Sequence, residues 1–318
     1  MKRREFIATT AMAAPLLSYF PADLSGIMRI TAPGAMEKRS LGRTGETLSV
    51  IGFGGIVVMD ASTEEASSRV AEAFNAGINY FDVAPSYGNA ETMLGPALEP
   101  YRKKVFLACK TQERTKAGAL RELEQSLARM RTDYFDLYQF HAVTKVEDVH
   151  TIFGPGGAME AFQEAKKDGK IRFVGFSAHS VEAAMALMDG YDFDTILFPF
   201  NYATWHAGDF GPQVLQRARD KGMGILALKA MAKGPWPEGA TKLPKCWYEP
   251  FTDPDNALMG LRFTLSHPVT SAIPPGNEDL FKMALGLARK IKPLKSREVD
   301  AIKQKGLDGM PLFRYPMT

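Results

Sequence analysis

From about residue 38 onward, short apolar runs alternate with longer amphipathic stretches, the pattern of repeated strand and helix units. Eight runs predict strands: TLSVIGF (47–53), INYFDV (78–83), KVFLACK (104–110), YFDLYQFH (134–141), IRFVGFS (171–177), TILFPF (195–200), GILALKA (224–230) and TSAI (270–273). Between them lie helical stretches such as TEEASSRVAEAFNAG, LRELEQSLARM, AMEAFQEAKKDG and GPQVLQRARDKG. In the second of these, Leu120, Leu123, Leu127 and Met130 recur at spacings of three and four, so one face can lie on a sheet. Gly77, Gly169 and Gly222 each follow such a stretch, where a helix commonly ends in a left-handed residue. Eight parallel strands with helices between them predict an α/β fold, a (β/α)8 TIM barrel in a single domain.

Composition narrows the function classes. The 318 residues are 45% hydrophobic, enough for one large core. With 39 basic and 36 acidic residues, the net charge of +3 is too small and too dispersed for a nucleic-acid or membrane-surface footprint, so neither partner is expected. Cys109 and Cys246 stand far apart and form neither a disulfide framework nor a CxxC pair. His150, His179, His206 and His267 are scattered without metal-ligand spacing, and no metal is expected.

The N-terminus follows different rules. Lys2, Arg3 and Arg4 precede Glu5, Phe6 and Ile7, and residues 6–22 carry no charge, which reads as a twin-arginine-type export signal. Pro15, Pro21 and the short apolar length argue against a stable membrane anchor. The expected organisation is a signal and linker over residues 1–35 and the barrel over 36–318. The twin-arginine export machinery is then a partner and the location periplasmic; a translation start at Met28 or Met36 is the cytoplasmic alternative.

Four residues carry the candidate chemistry: Asp82 and Tyr87 in FDVAPSYG, Lys110 closing VFLACK, and His141 closing DLYQFH. Barrel active sites lie at the C-terminal strand ends, which is where Asp82, Lys110 and His141 fall, with Tyr87 in the loop after the second strand. An adjacent ammonium stabilises a phenolate and lowers the tyrosine pKa, while a carboxylate holds the ammonium in place. A phenol so poised can give a proton to a carbonyl oxygen or take one from an alcohol. Taken singly, the same residues read as a structural ion pair, a loop aromatic and a strand-end histidine.

The opening EKRSLGRTGETLSVIGFGG and the segment GINYFDVAPSYGNAE, with the other elements in order and spacing, resemble the aldo-keto reductase family from about Met36 to the region of residue 290. The resemblance implies Tyr87 as general acid, Lys110 lowering its pKa, Asp82 orienting Lys110, and His141 placing the carbonyl oxygen. It implies NADP(H) as cofactor, with NAD(H) as the alternative, and a small aldehyde, ketone or sugar as substrate. For the nicotinamide, GFSAH keeps Ser177 but has Ala178 where the family has Asn; Leu197 falls at the usual Gln and Leu228 at the stacking aromatic. Asn201 or His179 is the candidate substitute. IPPGNED (273–279) resembles the family's phosphate turn, making Gly276 and Asn277 candidate contacts at a helix N-terminus, with Lys229 reaching the pyrophosphate.

Three segments are expected to cover the barrel mouth: Ala142–Gly157, Ala232–Pro254 with Trp236, Trp247, Tyr248 and Phe251, and the tail after about Gly306. A nucleotide-binding regulatory subunit and a non-redox barrel lyase or hydrolase are the alternative functions. The absence of paired strand-end carboxylates argues against a glycosidase.

Overall fold

The computed structural model describes residues 28–30 and 35–316; the arginine pair and apolar run of the expected export signal lie outside the described residues. Eight parallel strands are hydrogen-bonded in chain order: Phe53–Gly54, Tyr80–Asp82, Phe106–Thr111, Phe135–Val143, Ile171–Ala178, Thr195–Pro199, Gly224–Leu228 and Ser271–Ile273. The eighth returns against the first through a bridge between Ile51 and Ala272. There Gly52 N–H donates to Ala272 O (3.0 Å) and Ala272 N–H to Val50 O (2.9 Å). Helices alternate with the strands, so the architecture is the expected (β/α)8 barrel in one domain.

The first predicted strand divides in two. Thr47–Ser49 pairs antiparallel with Lys38–Ser40, which also pairs with Arg29–Ile30, and only Phe53–Gly54 joins the barrel. The reason lies in packing: Leu41 and Leu48 are fully buried in the cluster that fills the barrel interior, so this hairpin turns across the open end and plugs it. Gly42, at φ +51, lies so close to the seventh strand that an added Cβ would stand 2.3 Å from Gly224 N.

Side chains alternate across a strand, so residues two apart share a face. In the barrel the inward set includes Tyr80, Phe106, Ala108, Leu137 and Leu226, packed on the two plugging leucines. The outward set, with Phe81, Leu107, Cys109 and Tyr138 among it, packs against the helices. The helix Lys116–Met130 presents Leu123, Leu127 and Met130 to that layer, as its spacing predicts. Gly77, Gly169 and Gly222 adopt φ of +100°, +73° and +66° behind the helices they were expected to end. No helix among the described residues is long and apolar enough to cross a membrane.

Leu48→Ala should lower the unfolding free energy by about 2–5 kcal/mol, the usual cost of emptying a fully buried leucine site. Urea titration of the variant beside wild type measures it.

Candidate active site

One inward position near the C-terminal end of each strand contributes to the floor of one cavity at that end of the barrel. In strand order these residues are Gly54, Asp82, Lys110, His141, Ser177, Leu197, Leu228 and Ile273, and all line a space of about 510 Å³. That volume suits a small-molecule site. Tyr87 enters from the loop after the second strand; Trp247 and Tyr248 come from the loop after the seventh, and Leu312 and Phe313 from the tail. Two expected wall residues lie elsewhere: Trp236 donates from Nε1 to Cys246 O (3.0 Å), and Phe251 stacks on Tyr202 at 5.9 Å.

The four candidate residues are brought together. Lys110 Nζ donates to Asp82 Oδ1, to Val83 O (3.2 Å) and to Tyr87 OH (3.2 Å). Both Asp82 and Lys110 are buried, so the pair is shielded from water. Asp82 Oδ2 also accepts from Tyr80 OH (3.1 Å) and Gln139 Nε2 (3.3 Å). These two supports were missed in the sequence, although strand alternation could have found them: Tyr80 and Gln139 stand two residues before Asp82 and His141 and therefore face the same interior. The His141 ring meets Tyr87 edge-on at 5.6 Å, and its Nδ1 lies 3.3 Å from Ser86 Oγ. Its carbonyl accepts from Arg114 (2.8 Å), which ties the end of the fourth strand to the loop after the third.

The electrostatics depart from expectation at one point. Burial pushes the Tyr87 phenol above its ordinary value, and the opposing pull of the Lys110 ammonium does not overcome it. Burial also opposes charge on Lys110, but Asp82 and then Tyr87 outweigh it and raise that pKa. Tyr87 is therefore a protonated phenol held beside a fixed positive charge. Burial first, and then the Lys110 charge, lowers the His141 pKa to about 2, so its imidazole is neutral and has one N–H to donate.

The candidate cofactor residues separate into two groups. Ser177 is at the cavity wall; its Oγ accepts from Ala142 N–H (2.8 Å), which leaves the hydroxyl proton to donate inward. Gly276 also lines the cavity, where an added Cβ would stand 2.2 Å from Ile56. Asn201 and Asn277 act as helix caps. Asn201 Oδ1 accepts from Thr204 N–H (2.9 Å), and Asn277 Oδ1 accepts from the N–H groups of Asp279 (3.1 Å) and Leu280 (3.2 Å). Lys229 lines the cavity with its Nζ 3.4 Å from His179 Nε2. Among the described residues, no group of histidine, cysteine and carboxylate side chains could hold a metal ion.

The model of the aldo/keto reductase family matches residues 50–246, more than half of the chain. The chain belongs to that family of oxidoreductases. It is 29% identical over 216 residues to L-galactose dehydrogenase of Arabidopsis thaliana, covering 63% of this chain and 66% of that protein. It is 30% identical over 218 residues to the aldo-keto reductase YhdN of Bacillus subtilis (strain 168), covering 63% of each. The matches to the first curated relatives thus span about half to two thirds of their length. The holo form of aldo-keto reductase AKR11C1 from Bacillus halodurans shares the fold at a TM-score of 0.70 and 23% identity, over 88% of this chain and 99% of that one.

His141, His179 and His267 are all held neutral by burial, with pKa values lowered to about 2, 3 and 3. An unfolded histidine titrates near 6.5, so below that pH the unfolded chain binds protons that the folded chain refuses. Their contribution is full above pH 6.5 and is lost as pH falls, approaching about 1.4 kcal/mol per pH unit for each ring that stays neutral. Denaturant midpoints at pH 7, 6 and 5 should fall in that order. A midpoint that stays level would mean that these rings are not held neutral.

Proposed function

We propose that the protein is an NAD(P)(H)-dependent oxidoreductase that interconverts a small aldehyde, ketone or sugar carbonyl with its alcohol. The observation that carries this reading is the Tyr87 hydroxyl on the Lys110 ammonium at 3.2 Å, on the floor of a cavity at the C-terminal end of the barrel. A carbonyl oxygen between Tyr87 and His141 would accept from the phenol and from the neutral imidazole. Tyr87 gives up its proton as negative charge develops on that oxygen, and the nearby ammonium stabilises the phenolate left behind. A phenol kept protonated at neutral pH is ready to donate its proton when the carbonyl is reduced.

A nicotinamide dinucleotide, when bound, would supply or accept the hydride. The donor set fits such a group. Ser177 retains a hydroxyl proton for the carboxamide, and Leu197, Leu228 and Ile273 give apolar faces for a flat ring. The phosphates would be held by Gly276 and the helix start at Asn277, with Lys245 at the same wall. For the choice of nucleotide, Arg69 and Lys282 are the nearby cations, and both pair with Glu278. NADP(H) is the family's default and NAD(H) the alternative; titrating each nucleotide against the purified protein by fluorescence ranks them.

Tyr87→Phe should reduce turnover by about 10²- to 10⁴-fold, the loss expected of a general acid, while nucleotide affinity stays near wild type. A variant retaining activity within about tenfold would remove Tyr87 from this role.

We also propose export of the folded barrel through the twin-arginine machinery to the periplasm, supported by Arg3, Arg4 and the uncharged residues 6–22. Cell fractionation should find the wild type in the periplasm and an Arg3→Lys/Arg4→Lys variant in the cytoplasm. Wild type confined to the cytoplasm would favour a start at Met28 or Met36.

A further inference from the structure

Three lysines and one aspartate line the cavity, and only Lys110 is paired with that aspartate. The two surplus ammonium groups occupy different walls. Lys245 donates to Val57 O (3.4 Å), and its own carbonyl lies against Gly276, so it belongs to the wall assigned above to the dinucleotide phosphates. Lys229 stands at the opposite kind of neighbourhood. Its Nζ is 3.4 Å from His179 Nε2, 5.5 Å from the Phe313 ring centre and 5.9 Å from that of Tyr248. Phe313 stacks on His179 at 5.4 Å and on Phe210 at 5.0 Å, which fixes this wall.

No carboxylate among the described residues pairs with Lys229. Burial alone lowers its pKa, to about 8, which still leaves the amine mostly protonated at neutral pH. An ammonium only donates, so His179 Nε2 must accept from it and the imidazole proton sits on Nδ1. One neutral acceptor and two aromatic faces leave the charge without a counter-ion. Lys229 also adopts φ +64°, a backbone conformation that non-glycine residues rarely take and that clusters at ligand sites. Its charge reaches the reacting centre, since it contributes to holding His141 neutral.

We propose that Lys229, backed by His179 and Phe313, binds a carboxylate carried by the substrate, so that the preferred substrates are short aldehydes or ketones bearing an acid group. The inference rests on the reductase reading and deepens it. With the carbonyl oxygen at Tyr87 and His141, the acid group would supply the counter-ion that Lys229 lacks. A phosphate of the dinucleotide is the other source of the same anionic chemistry, and the test separates the two.

The test compares 4-oxobutanoate with its methyl ester as substrates for wild type, Lys229→Met and Lys229→Arg, with nucleotide affinity measured in parallel. The ratio of kcat/KM for the acid over the ester should fall by about tenfold or more in Lys229→Met, the loss expected of a charge-assisted hydrogen bond. Lys229→Arg, which keeps the charge, should recover part of it. If nucleotide affinity falls in Lys229→Met while the ratio holds, the anion is the cofactor's phosphate and the proposal is overturned. Equal loss for acid and ester, with unchanged nucleotide affinity, would reduce Lys229 to a structural wall and also overturn it. A second readout does not depend on turnover: succinate should stabilise wild type against heat and leave Lys229→Met unmoved. Equal stabilisation of both would overturn the subsite, whereas wild type inactive on every carbonyl but stabilised by succinate would overturn only the reductase reading.

Discussion

An ammonium enclosed in a barrel must have each of its three hydrogens matched, and the Lys110 ammonium sets that condition for the whole site. Its three acceptors are a carboxylate, a backbone carbonyl and a phenol: Asp82, Val83 O and Tyr87 OH. Two come from the second strand and its end, and the third from the loop beyond. The position of the Tyr87 hydroxyl therefore follows from the one donor direction left over. Asp82 carries the next layer of obligation, met by Tyr80 and Gln139. Removing one member leaves a buried charge without its partner, which in proteins generally costs about 3–5 kcal/mol. The proposed catalytic geometry and local stability are thus satisfied by the same hydrogen bonds.

The fold was legible because its signals are local and repeated. Eight apolar runs, helical spacing such as that of Leu123, Leu127 and Met130, and glycines at helix ends each report on nearby packing, and the barrel is their sum. The exception was TLSVIGF, whose composition suits a strand but whose first half is drawn away to plug the barrel with Leu48. Only the tertiary demand of an open barrel end decides that division. Asp82, Lys110 and His141 were legible as strand ends for a related reason, since strand direction alone places them on one floor.

The rest of the site depends on contacts that sequence spacing does not encode. Phe313 reaches His179 across more than a hundred residues, held by Tyr315 N–H donating to Gly208 O (2.8 Å) and Leu312 N–H to Thr204 Oγ1 (3.2 Å). Asn201 and Asn277 present amides that suit ligand binding, yet each also stands one residue before a helix, and the cap uses the side-chain oxygen. Lys110 does pull the Tyr87 pKa down as expected, but burial outweighs it, because the sequence shows which charges are neighbours but not how far water is excluded. Burial decided the sign.

The barrel is not held equally all round. The first strand has two residues, and the ring is completed by the single bridge between Ile51 and Ala272, whereas the fourth and fifth strands run side by side over most of their length. That short join lies directly below Gly54, Ile273 and Gly276, which belong to the cavity. A molecule seated there would touch both sides of the join and act as a stitch across it. The barrel's shortest circumferential link and its candidate binding site would then be mechanically coupled, so loading the cavity would change how readily the wall breathes open as well as what chemistry it performs.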